Sequence, residues 1–376
     1  MSHALGMKPK FGKSLSAPTR HICFVYPGDL NTATGGYAYA RHIMQALIHA
    51  GWQVHPLALG EGFPEPSSAV CESALQKLNQ VPKNHMLVID GLALGVLPQA
   101  AKSLHQSTRP FTALVHHPLA REAGISTHRA QALHQSEKQA LQYAAGVMVT
   151  SHETARTVCA DFDVPIERIA VALPGTDRPL FEGADAPKSK ADNSPLQLLS
   201  VGSLVPRKGF DLLIEALAGL VNLNWQLTIV GDDTRDESVT KQVQALIERY
   251  ALQNRVTCTG AVDTASLLNH YALADIFVLA SHYEGYGMAF AEALAAGLPI
   301  IGTTGGAIPD TVPLSAGRLV KPGDVTALRS TLYEVITDDD LRKNLRQGAL
   351  VCAENLPTWQ QSAVIFANSV IANHNR

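Results

Sequence analysis

Cysteine is scarce in this chain. There are five in 376 residues (Cys23, Cys71, Cys159, Cys258 and Cys352), scattered, odd in number and without a CxxC pair. That pattern indicates neither a disulfide framework nor a cysteine zinc site, and a reducing, cytoplasmic compartment is the simplest inference. No run of about 18 apolar residues occurs, which excludes a conventional membrane span. Residues 1–20 are basic (Lys8, Lys10, Lys13, Arg20) and lack an apolar centre, so they read as a mobile tail and not as a secretory signal. Charged residues make up only 17% and the net charge is −3, which does not suit a nucleic-acid binder. No G-x-G-x-x-G follows the first strand-like run, which argues against a nicotinamide dehydrogenase.

What is present is a soluble, globular composition, 46% hydrophobic, in a chain long enough for two domains. Residues 1–180 hold 15 Lys+Arg against 12 Asp+Glu, the remainder 15 against 21, and 12 of the 15 histidines fall in the first half. Ordinary solvated faces account for this asymmetry; an N-terminal half suited to an anionic acceptor or a membrane surface is the sharper reading.

The chemistry concentrates in Ser281–Asp310. Glu284 and Glu292 bracket Gly285, Gly287 and an alanine-rich run, Met288–Ala296, that reads as a helix stopped by Gly297 with Pro299 beyond. A glycine-flanked helix start offers free N–H groups and a positive dipole end to a phosphate. One carboxylate in the loop before it and one a turn inside can bind hydroxyls on either side. Such a pocket fits a nucleotide sugar.

Glu284-x7-Glu292, followed by GLPII and Gly305-Gly306, resembles the signature of retaining glycosyltransferases of family GT4. The resemblance implies the GT-B architecture: two Rossmann-like, doubly wound α/β domains facing each other across a donor-binding cleft. It covers His21 to Asn375 and is sharpest over residues 198–320. The matching division is a tail (1–20), an N-terminal acceptor domain (21–181), a Pro/Ser/Lys-rich linker (182–195), a nucleotide-sugar domain (196–356), and a C-terminal helix (357–376) returning to the first domain.

Apolar runs at His21–Tyr26, Gln53–Leu59, Met86–Asp90, Phe111–His116, Gly146–Thr150 and Ile169–Leu173 alternate with helical stretches, which argues a parallel sheet with ligands at the strands' carboxyl ends. Gly35-Gly36 opens the first helix. Alone it is a tight turn; the resemblance makes it a donor-phosphate loop. Val115-His116-His117 closes the fourth run where relatives carry V-H-D. An isolated histidine is usually structural, but the resemblance gives His116 contact with the transferred sugar and leaves His117, in place of the acid, as a sugar or acceptor residue. Neither has the partner spacing of a metal ligand. Ser151 reads as a helix cap. Asp177 matches an acid in the family pattern and equally a capped turn, while Pro174 departs from that pattern.

In the second half, Gln197–Val201 leads to Gly202 and then Arg207-Lys208-Gly209, with a helix over Phe210–Leu220. Any single Arg-Lys pair is usually a solvated turn. At a strand's carboxyl end it can grip a diphosphate, and the resemblance assigns that role. Asp232-Asp233 reads as a loop and helix cap, and Asp338-Asp339-Asp340 as a helix start; neither is taken as a metal site. Thr257–Val262 reads as the end of another strand, and in relatives main chain near Gly260 and Val262 meets the base. Asp310 stands where the family has Glu.

The expected chemistry is transfer of a sugar from a nucleoside diphosphate with retention, with no metal and no other cofactor. Arg207, Lys208, Glu284 and His116 would be catalytic; Gly35, Gly36, Gly202, Val262, Gly287, Met288, Ala289 and Glu292 would bind the donor. The acceptor is left open, and peripheral membrane association is compatible with the basic tail. A GT-B epimerase or phosphorylase, or a nucleotide-sugar-binding protein without turnover, is the alternative.

Overall fold

The computed structural model describes residues 20–122, 124–177 and 194–376. The basic tail up to residue 19 and the linker, save its last two residues, lie outside the described residues. Apolar runs such as HICFVY and MLVID are short and continuous, the signature of strands buried on both faces. They form β1 (His21–Tyr26), β2 (Gln53–Ala58), β3 (Met86–Asp90), β4 (Phe111–Val115), β5 (Gly146–Val149) and β6 (Ile169–Val171). The second set is β7 (Leu196–Val201), β8 (Trp225–Val230), β9 (Val256–Cys258), β10 (Ile276–Val278), β11 (Ile300–Thr303) and β12 (Gly317–Val320).

Each set makes one parallel six-stranded sheet, ordered β2-β1-β3-β4-β5-β6 and β12-β11-β10-β7-β8-β9. The order reverses direction beside β1 in the first sheet and beside β7 in the second. Such switch points open a crevice at the carboxyl ends of the strands. In the first sheet alternate residues serve two cores. Cys23, Val25, Leu87 and Ile89 pack to one side, while Ile22, Phe24, Val88 and Leu114 pack to the other. Leu198, Phe210, Trp225, Phe277 and Phe290 belong to one core in the second sheet.

The helix Trp359–His374 lies on the first sheet. Thr358 and Gln361 form a capping box at its start. Phe366 then stacks on Phe24, the Ser362 hydroxyl donates to the Leu173 carbonyl at 2.6 Å, and Asn373 donates to Thr112 at 3.1 Å.

Three local expectations change. The 257–262 strand is Val256–Cys258, because the Thr259 amide bonds to Ile229 and the chain turns at Gly260. The Ile169–Leu173 strand stops at Val171. Asp232-Asp233 caps no helix: Asp232 closes a turn on Thr234, and Asp236 caps Glu237–Arg249 by accepting from the Ser238 and Val239 amides. Asp338 does cap its helix, Asp339–Ala353. Among the described residues no helix is long and apolar enough to cross a membrane.

Candidate active site

Two loops at the second switch point carry the charged groups. After β7 the chain runs through Gly202 to a single 3-10 turn, Pro206–Lys208. After β10 it runs through Ser281 and Glu284 to the helix Met288–Ala295. Parallel pairing of β7 with β10 sets these loops side by side. Arg207 Nη1 donates to the Tyr283 carbonyl at 2.6 Å and to Glu284 Oε2 at 3.0 Å. Lys208 Nζ reaches Glu284 Oε1 at 2.7 Å, and the Ser281 hydroxyl donates to the same oxygen at 2.6 Å. The aliphatic stem of Lys208 lies over Gly202.

Glu284 is only 5% exposed. Burial alone would raise its carboxyl; Lys208, Arg207 and Ser281 more than offset that and hold it down to about 2. Burial pushes the Lys208 ammonium below its ordinary value, with Glu284 opposing. Arg207, half-buried, is held above its ordinary value by Glu284 and Glu122, the latter 3.6 Å from Nε. Two cations thus share one deeply buried carboxylate, with Glu122 a second, more exposed acid beside Arg207.

Glu292 sits within the helix, where Tyr271 donates its hydroxyl at 2.7 Å. Burial lifts its carboxyl to about 6; Tyr271 and Lys208 work against that rise and Asp177 adds to it. The helix begins at Gly287, whose φ of 88° is a left-handed conformation that glycine adopts without strain. The first amides of the helix, at Gly287, Met288 and Ala289, have no intrahelical acceptor to use. Glycines 202, 231 and 260 follow β7, β8 and β9 in close succession: the Gly231 amide donates to the Gly260 carbonyl, and a Cβ on Gly231 would fall 2.0 Å from the Gly202 oxygen. Val262, half-buried just beyond, packs on the second core.

The first sheet presents its own carboxyl ends to these loops. Thr34 caps the helix Gly35–His49, leaving Gly35 beside open space and Gly36 against the His116 ring. His116 Nε2 is 3.4 Å from Asp90 Oδ2 without a well-aligned hydrogen bond. The next residue, His117, pairs with Glu122 at 3.1 Å. Asp177 is exposed and lies close enough for its charge to be felt at both His42 and Glu292. The halves touch at Gly285, where a Cβ would come within 2.3 Å of the His116 carbonyl, and at an Arg156–Asp310 ion pair of 2.7 Å.

The structure therefore brings Arg207, Lys208 and Glu284 into direct contact, with Glu292 near enough to feel Lys208. It sets His116 and His117 across from them. Sequence reasoning missed Asp90, Glu122, Tyr271 and Ser281. Asp90 ends a strand at the ligand-facing side and was findable by that rule; Glu122 and Tyr271 come from distant segments and carry no local signal.

Paired doubly wound sheets facing one cleft define the GT-B fold. Residues 182–350 match the model of the family of glycosyl transferases group 1. The chain is 26% identical over 321 residues to an MMP alpha-(1->4)-mannosyltransferase of Mycolicibacterium hassiacum, covering 80% of this chain and 74% of that protein. Two solved structures share the fold. Sucrose-phosphate synthase from Thermosynechococcus elongatus aligns at TM-score 0.78 and 22% identity over 93% of this chain and 98% of its own. Anabaena Alr3699/HepE in complex with UDP-glucose aligns at 0.74 and 18% identity, over 94% and 100%.

Proposed function

We propose that this glycosyltransferase moves a sugar from a nucleoside diphosphate to an acceptor hydroxyl with retention of anomeric configuration, and that it needs no metal. The observation that carries the reading is the buried Arg207–Lys208–Glu284 cluster at the carboxyl ends of β7 and β10. The C1–oxygen bond to the β-phosphate breaks, negative charge develops on the departing diphosphate, and the ring becomes oxocarbenium-like. Arg207, Lys208 and the amides at Gly287–Ala289 stabilise the diphosphate, the role a metal plays elsewhere. Glu284 holds sugar hydroxyls and favours the positive ring. The acceptor oxygen bonds to C1 on the departing face and its proton passes to the leaving phosphate.

Glu292 binds ribose hydroxyls, and Gly202, Gly260 and Val262 border the base. Gly35 and Gly36 face donor phosphate from the first domain, His116 orients the sugar, and His117 and Asp177 meet sugar or acceptor. A thermal-shift panel of nucleotide sugars identifies the donor, since a specific ligand raises stability as ln(1 + [L]/Kd). NMR of the glycosylated product, made with and without EDTA, then reads the anomer. Retained configuration and an EDTA-insensitive rate are expected; an inverted product, or a rate restored only by added Mg2+ or Mn2+, contradicts the proposal.

A further inference from the structure

At the amino ends of the first sheet, on the opposite rim from the cleft, three histidines from separate parts of the chain converge. His21 opens β1, His55 is the third residue of β2, and His85 immediately precedes β3. The order β2-β1-β3 makes these strands neighbours. Register does the rest. His21 pairs with Gln53 and Cys23 with His55, so His21 and His55 point to the same face, while the Ile22–Met86 pairing sets His85 level with His21. One ligand nitrogen from each ring lies within 4.8 Å of the others, and His21 Nδ1 is 3.0 Å from His55 Nε2. The rings stack with centroids 4.3–5.3 Å apart.

We propose that His21, His55 and His85 form a binding site for a borderline transition-metal dication, Zn2+ in the first instance. Three neutral imidazoles with a fourth, solvent-held position are a donor set that zinc accepts. Tetrahedral zinc needs its nitrogens about 3.4 Å apart at Zn–N distances of about 2.05 Å, so the rings have only to turn and draw slightly together. Arg109 lies beside His85 on the same rim. Arg109 also fixes the backbone there, donating to the carbonyls of Pro82 at 2.7 Å and His85 at 3.3 Å. Its charge opposes a dication and lowers the affinity expected of the site. His55 is partly exposed, so the site is reachable from solvent. Its position, a strand's length from the cleft, gives it no part in glycosyl transfer; it ties three strands together.

The test is calorimetric titration of the full chain with zinc chloride at pH 7.5, beside His55→Ala and His85→Gln, with circular dichroism to confirm folding and Co2+ absorption to report ligand geometry. One equivalent should bind, raise Tm, and be weakened at least 10-fold in both variants, without change in nucleotide-sugar binding. Zinc binding of equal affinity and stoichiometry in His55→Ala, whose partly exposed side chain is dispensable for folding, overturns the site. Absence of one-equivalent binding in the unmodified chain does so as well.

Discussion

The two sheets present different chemistry to the same cleft. The second contributes buried, fixed charge: Arg207, Lys208 and Glu284 within 3.0 Å contacts, and Glu292 behind them. The first contributes groups that orient and yield: Gly35 beside open space, His116 against Asp90, and His117 bonded to an exposed acid. A diphosphate leaving group needs charge already in position, because reorganising charges during the reaction forfeits the stabilisation. An acceptor surface gains from adaptable polar groups. In the proposed reaction the second sheet fixes the departing diphosphate, while the first orients the sugar and the acceptor.

The strongest way to break this contrast is to remove a fixed charge. Arg207→Ala or Lys208→Ala should lower kcat by about 10²–10³-fold, as loss of an electrostatic stabiliser does. Asp90→Asn should have a smaller effect, since Asn can keep the side-chain cap on the Leu92 amide and loses the charge beside the His116 ring. A decrease in kcat/KM of about 10-fold, with nucleoside diphosphate affinity unchanged, is expected. If Asp90→Asn cost as much as Lys208→Ala, the division of labour between the sheets would fail.

The two carboxylates sharpen the comparison through pH. Glu284 has a folded value depressed to about 2, below the ordinary 4.5. It therefore contributes stability that is present above pH 4.5 and lost as pH falls towards 2, of order 3 kcal/mol for so buried a group. Glu292 is raised to about 6, so its charged form is disfavoured by folding and it protonates as pH falls through 6. Donor affinity should accordingly weaken between pH 7 and 5 while the fold persists, and Glu292→Gln should flatten that profile, as titration calorimetry can read. The smallest effect belongs to the exposed contact between the halves. Arg156→Ala removes the pair with Asp310, should cost no more than about 1 kcal/mol by chemical denaturation, and should leave kcat intact.

Much of the second half was legible in sequence because its chemistry lies in two short segments. RKG and E-x7-E sit directly after strands, and parallel pairing of those strands is enough to join them. The first half was less so. Gly36 and His116 follow strands and could be singled out, but the contacts that fix them come from Asp90 and Gly285, residues 26 and 169 positions from His116. Tyr271 over Glu292 is equally silent, because a helix residue facing a buried acid looks like any core aromatic. The histidine cluster is the extreme case: intervals of 34 and 30 residues resemble no metal motif, and only strand order brings the rings together.

Arg207 and Lys208 are proposed to grip a diphosphate. That grip is tested most directly by calorimetry with UDP or GDP, whichever binds, against the corresponding monophosphate, in the unmodified chain and in Lys208→Ala. The second phosphate should strengthen binding at least 10-fold in the unmodified chain and add almost nothing in the variant. An equal gain from that phosphate in both proteins would contradict the proposal.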